Sequence, residues 1–196
     1  MSGRRGLLAA TCFYALGLCA PAVAMQECED TILSNQPDGR YEFRFKGLVA
    51  YDRVTGLEWM RCPVGQQLED GLCGGEATQA TWQDALHLAR KSDYAGRTDW
   101  RLPNPKEFGS IIDLSCRYPA LNNYVFPHLF QTDESALFWS STPLGGSSEG
   151  GYEKQVFVAE LFVWGGAASR QEIRRTHHDP EQRTLNTAFV LLVRGM

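Results

Sequence analysis

The segment from Ser169 to Arg183 holds the densest set of side chains that could do chemistry. It reads SRQEIRRTHHDPEQR and contains four arginines and two adjacent histidines. Guanidinium groups bind sulfate and carboxylate through paired hydrogen bonds, so this composition favours an anion-binding loop. The acidic residues Glu172, Asp179 and Glu181 could instead neutralise the arginines within the same loop. Both interpretations stay open at this point.

Two aromatic residues near that segment could add stacking surfaces for sugar rings. Trp164 stands before a pair of glycines, and Tyr152 follows the glycine-rich stretch GGSSEGG. We therefore expect the ligand-binding residues to lie in the loops between Pro143 and Arg183. The predicted residues are Arg170, Arg174, Arg175, His177, His178, Arg183, Trp164 and Tyr152.

The same residues give little support for catalysis or metal binding. In His177-His178-Asp179 successive side chains point in alternating directions, so at most two of them converge without a sharp turn, and a solvated loop is favoured over a metal site. The serines of WSSTP lack the glycines of a nucleophile elbow. We expect no catalytic residue, no metal and no cofactor, and hence a protein that is not an enzyme.

The first 24 residues are typical of a secretory signal peptide. Arg4 and Arg5 precede an apolar run from Leu7 to Ala20, and Ala22-Val23-Ala24 provides a cleavage site. The apolar run is too short to span a bilayer, and we expect no integral membrane segment after cleavage. The remaining residues, 25–196, suit a single domain exported to the periplasm, the cell surface or the medium.

Charge argues against two classes of partner. The chain has 19 Lys and Arg against 23 Asp and Glu, and loss of the two leader arginines leaves a formal charge of −6. Such a balance disfavours bulk attraction to nucleic acid or to anionic lipid. A local basic patch remains compatible with it.

Four cysteines follow the predicted cleavage site. An even number in an exported chain indicates disulfides, with three possible connectivities. We favour Cys62–Cys73 because the intervening PVGQQLEDGL is polar and rich in turn residues, which leaves Cys28–Cys116. A zinc site is disfavoured because neither spacing is C-x-x-C.

Two helices are predicted in the first two thirds of the chain. The apolar residues Trp82, Ala85, Leu86 and Ala89 recur at helical spacing after a Thr81–Asp84 capping pair, and His87 lies off that stripe as a solvated residue. The second helix begins at Asn104-Pro105-Lys106-Glu107, a capping arrangement with proline at the first helical position. Its predicted buried stripe consists of Phe108, Ile111 and Ile112.

Strands are predicted on both sides of these helices. YEFRF and LVAYDRVTGLEWM indicate a strand and a hairpin, with Tyr51, Leu57 and Trp59 expected in the core. ALFWSSTP is a short strand, and KQVFVAELFVWGG is predicted as a strand pair with a turn near Ala159–Glu160. TAFVLLVRG is expected to form a closing central strand. This order favours an α+β fold with a mainly antiparallel sheet.

Five ordered motifs carry a resemblance to a known family. VTGLEW, TWQDAL, WRLPNPKEF, FWSSTP and FVLLVRG together resemble the DUF1566 family, which includes the C-terminal domain of the Legionella collagen-like adhesin. The resemblance covers about Tyr41 to Arg194. It implies a C-type-lectin-like fold, related to formylglycine-generating enzymes, in which two helices pack on a sheet whose terminal strands pair.

The resemblance also implies a function. It suggests noncatalytic recognition or adhesion outside the cytoplasm, with a glycan as ligand, which would be anionic if the loop arginines contact it. The alternative is an accessory domain that binds an envelope, pilus or host surface protein, and formylglycine-type catalysis is disfavoured because no cysteine follows Cys116. Gln36-Pro37-Asp38 matches a tripeptide of galactose-type lectins, but it precedes the first strand and is interpreted as a turn. The closing strand lacks the cysteine that the family often carries there, which weakens the Cys28–Cys116 assignment.

Overall fold

The structure of the protein is a computed structural model that describes residues 26–37, 39–117, 120–127, 137–144, 155–160, 174–175 and 187–195. The predicted leader lies outside these residues. The strands are β1 (Glu27–Cys28), β2 (Tyr41–Arg44), β3 (Val49–Asp52), β4 (Glu58–Met60), β5 (Gln67–Glu69), β6 (Leu72–Gly74), β7 (Gln79–Ala80), β8 (Cys116–Arg117), β9 (Leu137–Leu144), β10 (Gln155–Glu160), β11 (Arg174–Arg175), β12 (Ala188–Phe189) and β13 (Val193–Arg194). The helices are α1 (Trp82–Lys91) and α2 (Pro105–Ile111), with a 3₁₀ turn at Tyr94–Gly96. The α+β prediction with mainly antiparallel sheets is confirmed.

A four-stranded antiparallel sheet has the order β13-β4-β3-β2. The predicted hairpin is confirmed, and Ala50 of β3 lies opposite Trp59 of β4. Residues that face each other across antiparallel strands share one face, and these two are fully buried on the inner face. Leu57 is also buried, as predicted.

The prediction that Tyr51 packs on the core is wrong. Tyr51 is half-buried and lies outside the hydrophobic core cluster, and, because side chains alternate along a strand, it points away from the face of Ala50 and Asp52. Tyr51 therefore lies on the outer face, opposite Glu58. There the guanidinium of Arg44 lies 3.6 Å from the centroid of the tyrosine ring.

A five-stranded sheet has the order β11-β10-β9-β12-β7. Its neighbours are antiparallel except β9 and β12, which run parallel with Phe138 opposite Phe189. The predicted turn at Ala159–Glu160 is wrong, since both residues belong to β10 and pair with Phe138 and Leu137 of β9. Neither position offers the glycine, proline or asparagine that a tight turn favours, so the ladder continues through them.

The closing segment contributes one strand to each of the two sheets instead of forming one central strand. β12 lies inside the five-stranded sheet, where Ala188 pairs with Ala80. β13 is an edge strand of the four-stranded sheet, where Val193 pairs with Trp59. Residues 190–192 between them are fully buried and cross from one sheet to the other. The single-strand prediction is therefore wrong, because no one ladder can follow a segment that changes sheets.

The terminal strands of the four-stranded sheet do not pair with each other. β2 and β13 lie at opposite edges, separated by β3 and β4. The resemblance implied that the terminal strands pair, but in the described residues of this sheet they do not.

Helix α1 begins at the predicted capping pair. Thr81 Oγ1 accepts a hydrogen bond from the Asp84 backbone N–H at 3.2 Å and donates one to Asp84 Oδ2 at 2.7 Å. Ala85 and Ala89 are buried on the predicted stripe, and His87 is exposed, as predicted. Alanine at these two positions lets the helix backbone approach the sheet closely.

Helix α2 has the predicted capping box. Asn104 Oδ1 accepts from the backbone N–H groups of Lys106 and Glu107 at 2.9 and 3.0 Å, and Glu107 Oε2 accepts from the Asn104 N–H at 2.7 Å. Glu107 also receives two hydrogen bonds from the Arg101 guanidinium, at 2.6 and 2.8 Å. The Arg-Leu-Pro-Asn-Pro run therefore starts the helix and holds it against the preceding chain.

Aromatic rings join α2 to both sheets. Phe108 of α2 lies 5.9 Å from Trp59 of the four-stranded sheet and 6.4 Å from Phe138 of the five-stranded sheet, measured between ring centroids. Phe126 packs edge-on against Trp59 at 6.4 Å. All four side chains are essentially buried. The core thus sits between the sheets, with α2 at its centre.

Both predicted disulfides are present. Cys62–Cys73 closes a short loop that contains the β5–β6 hairpin, and Cys28–Cys116 joins residues that are 88 apart in sequence. The second bridge lies within the β1–β8 pair. It covalently links the N-terminal arm, residues 26–37, to the chain that follows α2.

Candidate functional site

The structure describes two of the eight predicted ligand-binding residues. Arg174 and Arg175 form β11, where they pair with Val158 and Phe157 of β10. β11 is an edge strand of the five-stranded sheet. The other six predicted residues lie outside the described part of the chain: Tyr152, Trp164, Arg170, His177, His178 and Arg183. Of the predicted loop site, the structure therefore places only the backbone of Arg174 and Arg175.

Gln36 of the lectin-like tripeptide is used inside the fold. Its amide nitrogen donates to the carbonyl oxygens of Ser110 and Ile112 at 2.9 and 3.0 Å, and its oxygen accepts from the Tyr41 hydroxyl at 2.7 Å. The residue is 4 % exposed. It fastens the N-terminal arm to the end of α2, in accord with a structural role.

The turn between β2 and β3 has an unusual backbone. Phe45, Lys46 and Gly47 have φ angles of 51°, 56° and 86°, all in the left-handed region. Glycine adopts this conformation freely, but for a bulky residue such as phenylalanine it is an outlier that carries strain. Phe45 and Lys46 are both exposed. Strained, exposed residues of this kind occur preferentially at binding sites.

A second left-handed turn lies beside the first. Ala95 and Gly96 have φ angles of 54° and 70°. The Tyr94 hydroxyl donates to the Leu48 carbonyl at 3.0 Å, which joins the two turns. Burial raises the pKa of Tyr94 to about 12, so the hydroxyl keeps its proton and remains a donor. The Arg97 guanidinium lies 5.7 Å from the ring centroid of Phe45 and forms a further connection.

Arg61 lies beneath the first turn. Its guanidinium donates to the carbonyl oxygens of Gly47 at 2.8 Å, Tyr124 at 2.9 Å and Val125 at 2.7 Å. It also stacks on the Phe43 ring, 4.0 Å from the centroid. One side chain therefore holds the β2–β3 turn and the segment 122–126 side by side.

Arg61 is a buried cation among neutral partners. Arg61 is 6 % exposed, and burial lowers the pKa of its guanidinium. Arginine nevertheless stays protonated in proteins, because its ordinary pKa is far above neutrality. Among the described residues no carboxylate forms an ion pair with Arg61; its hydrogen-bond acceptors are carbonyl groups. The charge therefore remains uncompensated close to the surface.

Tyr124 completes the aromatic part of this region. It is 76 % exposed, and its ring lies 5.3 Å from that of Phe43. We call the whole region the turn surface. It consists of Phe43, Phe45, Lys46, Arg61, Arg97 and Tyr124. Its rings can stack on a flat apolar face, and its cations can attract an anion.

The outer face of the four-stranded sheet is electrostatically balanced. The guanidinium of Arg44 reaches Glu42 and Glu58, at 3.2 and 2.7 Å, and Arg194 bridges Glu58 and Asp99, at 2.6 and 2.9 Å. Arg44 and Arg194 of this face thus have acidic partners. The turn surface differs because its three cations form no ion pair with a described carboxylate.

Sequence reasoning missed the turn surface. Alternation in YEFRF places Phe45 in line with Tyr41 and Phe43, which resembles an ordinary core-facing strand. The strand ends at Arg44 instead, and the ring of Phe45 is displayed from a turn. The nearest signal in the sequence is Gly47, because glycine is typical of tight turns.

Two general features of the described residues concern metals and membranes. No group of three or more His, Cys, Asp or Glu side chains there is placed to hold a metal ion. None of the helices in the same residues has the length and apolar character needed to cross a membrane.

Comparison with known proteins places the chain in a family. Residues 48–193 match the Lcl C-terminal domain family, whereas no curated protein and no solved structure matches the chain. The matched span contains both helices and the Cys62–Cys73 bridge, and it ends within β13. It also covers Arg174 and Arg175, while the arm with Cys28 precedes it. Because the match extends over about three quarters of the residues, the chain belongs to the Lcl C-terminal domain family.

Proposed function

We propose that the protein is a noncatalytic recognition module that acts outside the cytoplasm and binds an anionic glycan. The observation that carries the proposal is that two consecutive arginines form β11, an edge strand of the five-stranded sheet. Guanidinium groups form paired, charge-assisted hydrogen bonds with sulfate and carboxylate. The predicted partners in the loops between Pro143 and Arg183 belong to the same proposal.

Family membership and disulfide chemistry support this function. The chain belongs to the Lcl C-terminal domain family, and the resemblance of its motifs to a collagen-like adhesin supports a recognition role. Two disulfides favour an oxidising compartment, in accord with the leader expected in residues 1–24. The proposed location is therefore the periplasm, the cell surface or the medium.

Salt-dependent retention on immobilised heparin tests the glycan proposal. The mature chain should be retained, and Arg174→Ala/Arg175→Ala should elute at lower salt and bind about tenfold more weakly, which corresponds to about 1.4 kcal/mol. Arg90→Ala/Lys91→Ala is the matched control, because it removes two exposed charges from the end of α1. Equal elution of the wild type and the β11 variant would reject a role for these arginines.

A protein partner is the second candidate, favoured by an apolar patch on the N-terminal arm. Leu33 is 95 % exposed, Ile32 48 % and Leu114 52 %. The arm and the chain after α2 are joined here by the Asn35 side chain, which accepts from the Leu114 N–H at 2.8 Å. A glycan array combined with a pull-down from the native envelope separates the candidates, since a protein partner gives a signal only in the pull-down.

A further inference from the structure

We propose that the turn surface is a binding site for an acidic saccharide, separate from the loops around β11. A sugar ring stacks on the exposed aromatic rings, and its carboxylate or sulfate group is held by Arg97 and Lys46. This inference rests on the proposed glycan function. It places glycan binding at the turn surface, which contains none of the predicted loop residues.

Charge is the first argument. Lys46 and Arg97 are exposed, and no carboxylate of the described residues forms an ion pair with either one. Arg97 is close enough to Asp99 to act on its carboxylate, but that carboxylate is bound by Arg194 at 2.9 Å. Arg61 adds a buried charge that its neutral carbonyl partners leave uncompensated. An anion at this surface therefore meets Lys46 and Arg97, which need not first be released from carboxylate partners.

Preorganisation is the second argument. The Arg61 guanidinium fixes the β2–β3 turn to the segment that carries Tyr124, and the Tyr94 hydroxyl fixes the same turn to the Ala95–Gly96 turn. Of the four non-glycine residues with positive φ in the described part of the chain, three lie in these two turns: Phe45, Lys46 and Ala95. A surface that is held in place before binding loses little conformational entropy when the ligand arrives.

The combination of groups selects the class of ligand. Exposed rings offer flat surfaces of low polarity, which match the C–H face of a pyranose. Guanidinium and ammonium groups beside them match an acidic substituent on the same sugar. A neutral saccharide would use only the rings, and a small inorganic anion would use only the cations. An acidic saccharide uses both.

The test measures binding of a heparin octasaccharide to the mature chain by titration calorimetry. Phe45→Gly/Arg97→Gln removes a ring and a cation, and glycine suits the left-handed backbone at position 45. Measured in the Arg174→Ala/Arg175→Ala background, so that the loops around β11 do not mask the loss, this change should give at least a tenfold rise in Kd. The control, Val54→Gly/Arg53→Gln, removes one exposed apolar side chain and one exposed cation from the turn after β3 and should bind like the wild type.

Each outcome decides between this site and the broader function. If the wild type binds and the turn variant binds equally well, the turn-surface site is overturned while glycan recognition stands. If the wild type binds neither this probe nor the other acidic glycans of an array, both proposals fail. A Kd equal to that of neutral maltooctaose would also overturn the acidic-saccharide assignment. If the double variant shows no cooperative thermal unfolding, the single variant Arg97→Gln provides the test, because the Arg97 side chain is exposed.

Discussion

Arg40 and Asp52 form a buried ion pair that joins the N-terminal arm, β3 and α2. The Arg40 guanidinium makes two hydrogen bonds to the Asp52 carboxylate, at 2.8 and 2.6 Å, and reaches the carbonyls of Asn35 and Ser110, both at 2.8 Å. Asp52 also accepts from the Thr55 hydroxyl at 2.8 Å. Every charged atom of the pair thus has a partner, and removal of one partner would leave a buried charge alone.

Asp52→Asn should therefore lower the free energy of unfolding strongly. Breaking a buried ion pair by loss of one partner costs about 3–5 kcal/mol. Urea unfolding followed by tryptophan fluorescence measures the loss. Glu42→Gln is the matched control, because it disturbs an ion pair in which Glu42 is 43 % exposed, and its midpoint should hardly move. A similar small change for Asp52→Asn would contradict the role assigned to the pair.

The same carboxylate should make stability depend on pH. Burial by itself raises the pKa of Asp52, but hydrogen bonds from Arg40, the Val54 N–H and Thr55 outweigh it and lower the pKa below its ordinary value. A lowered folded-state pKa gives stability that is complete above the unfolded pKa of about 3.9 and is lost as pH falls through the folded value. Unfolding midpoints at pH 7, 5, 4 and 3 should fall less steeply below pH 4 in Asp52→Asn than in the wild type.

At the scale of elements, α2 depends on its cap. The helix has seven residues, and Asn104 satisfies two of its first backbone N–H groups while Pro105 has none to satisfy. Asn104→Ala should destabilise the protein by about 1 kcal/mol. Lys106→Ala is the control, since Lys106 is exposed and its backbone N–H, not its side chain, takes part in the cap. Equal urea midpoints for the two variants would show that the cap contributes little.

Elements with local signals could be predicted, and elements defined by distant pairing could not. The caps of α1 and α2 and the apolar stripes beside them are encoded within a few residues, so both helices were predictable. The closing segment 188–194 carries one apolar run, and only its partners on two sheets divide it into β12 and β13. The turn surface depends on left-handed backbone at Phe45 and Ala95, which the preferences of phenylalanine and alanine themselves do not indicate.

At the scale of the whole molecule, two connections tie together parts that are far apart in sequence. Residues 190–192 carry the chain from the five-stranded sheet to the four-stranded sheet, and the Val64 and Met60 N–H groups donate to the Val190 and Leu192 carbonyls at 2.9 and 3.0 Å. Cys28–Cys116 ties the arm to the far end of α2. Gln36 of the arm and Arg40, which donates to the Asn35 carbonyl, both reach Ser110, so the bridge also protects the buried polar contacts made there.

The two disulfides should therefore contribute unequally to stability. In the chain-entropy description, a bridge that spans 88 residues contributes about 5 kcal/mol, and one that spans 11 contributes about 3 kcal/mol. Cys28→Ser/Cys116→Ser should accordingly unfold at lower urea than Cys62→Ser/Cys73→Ser, each compared with the oxidised mature chain. Intact mass of that chain, four hydrogens below the reduced value, establishes that both bridges are formed before the comparison. The reverse order of midpoints would mean that local packing around the β5–β6 hairpin, and not loop length, sets the contribution of each bridge.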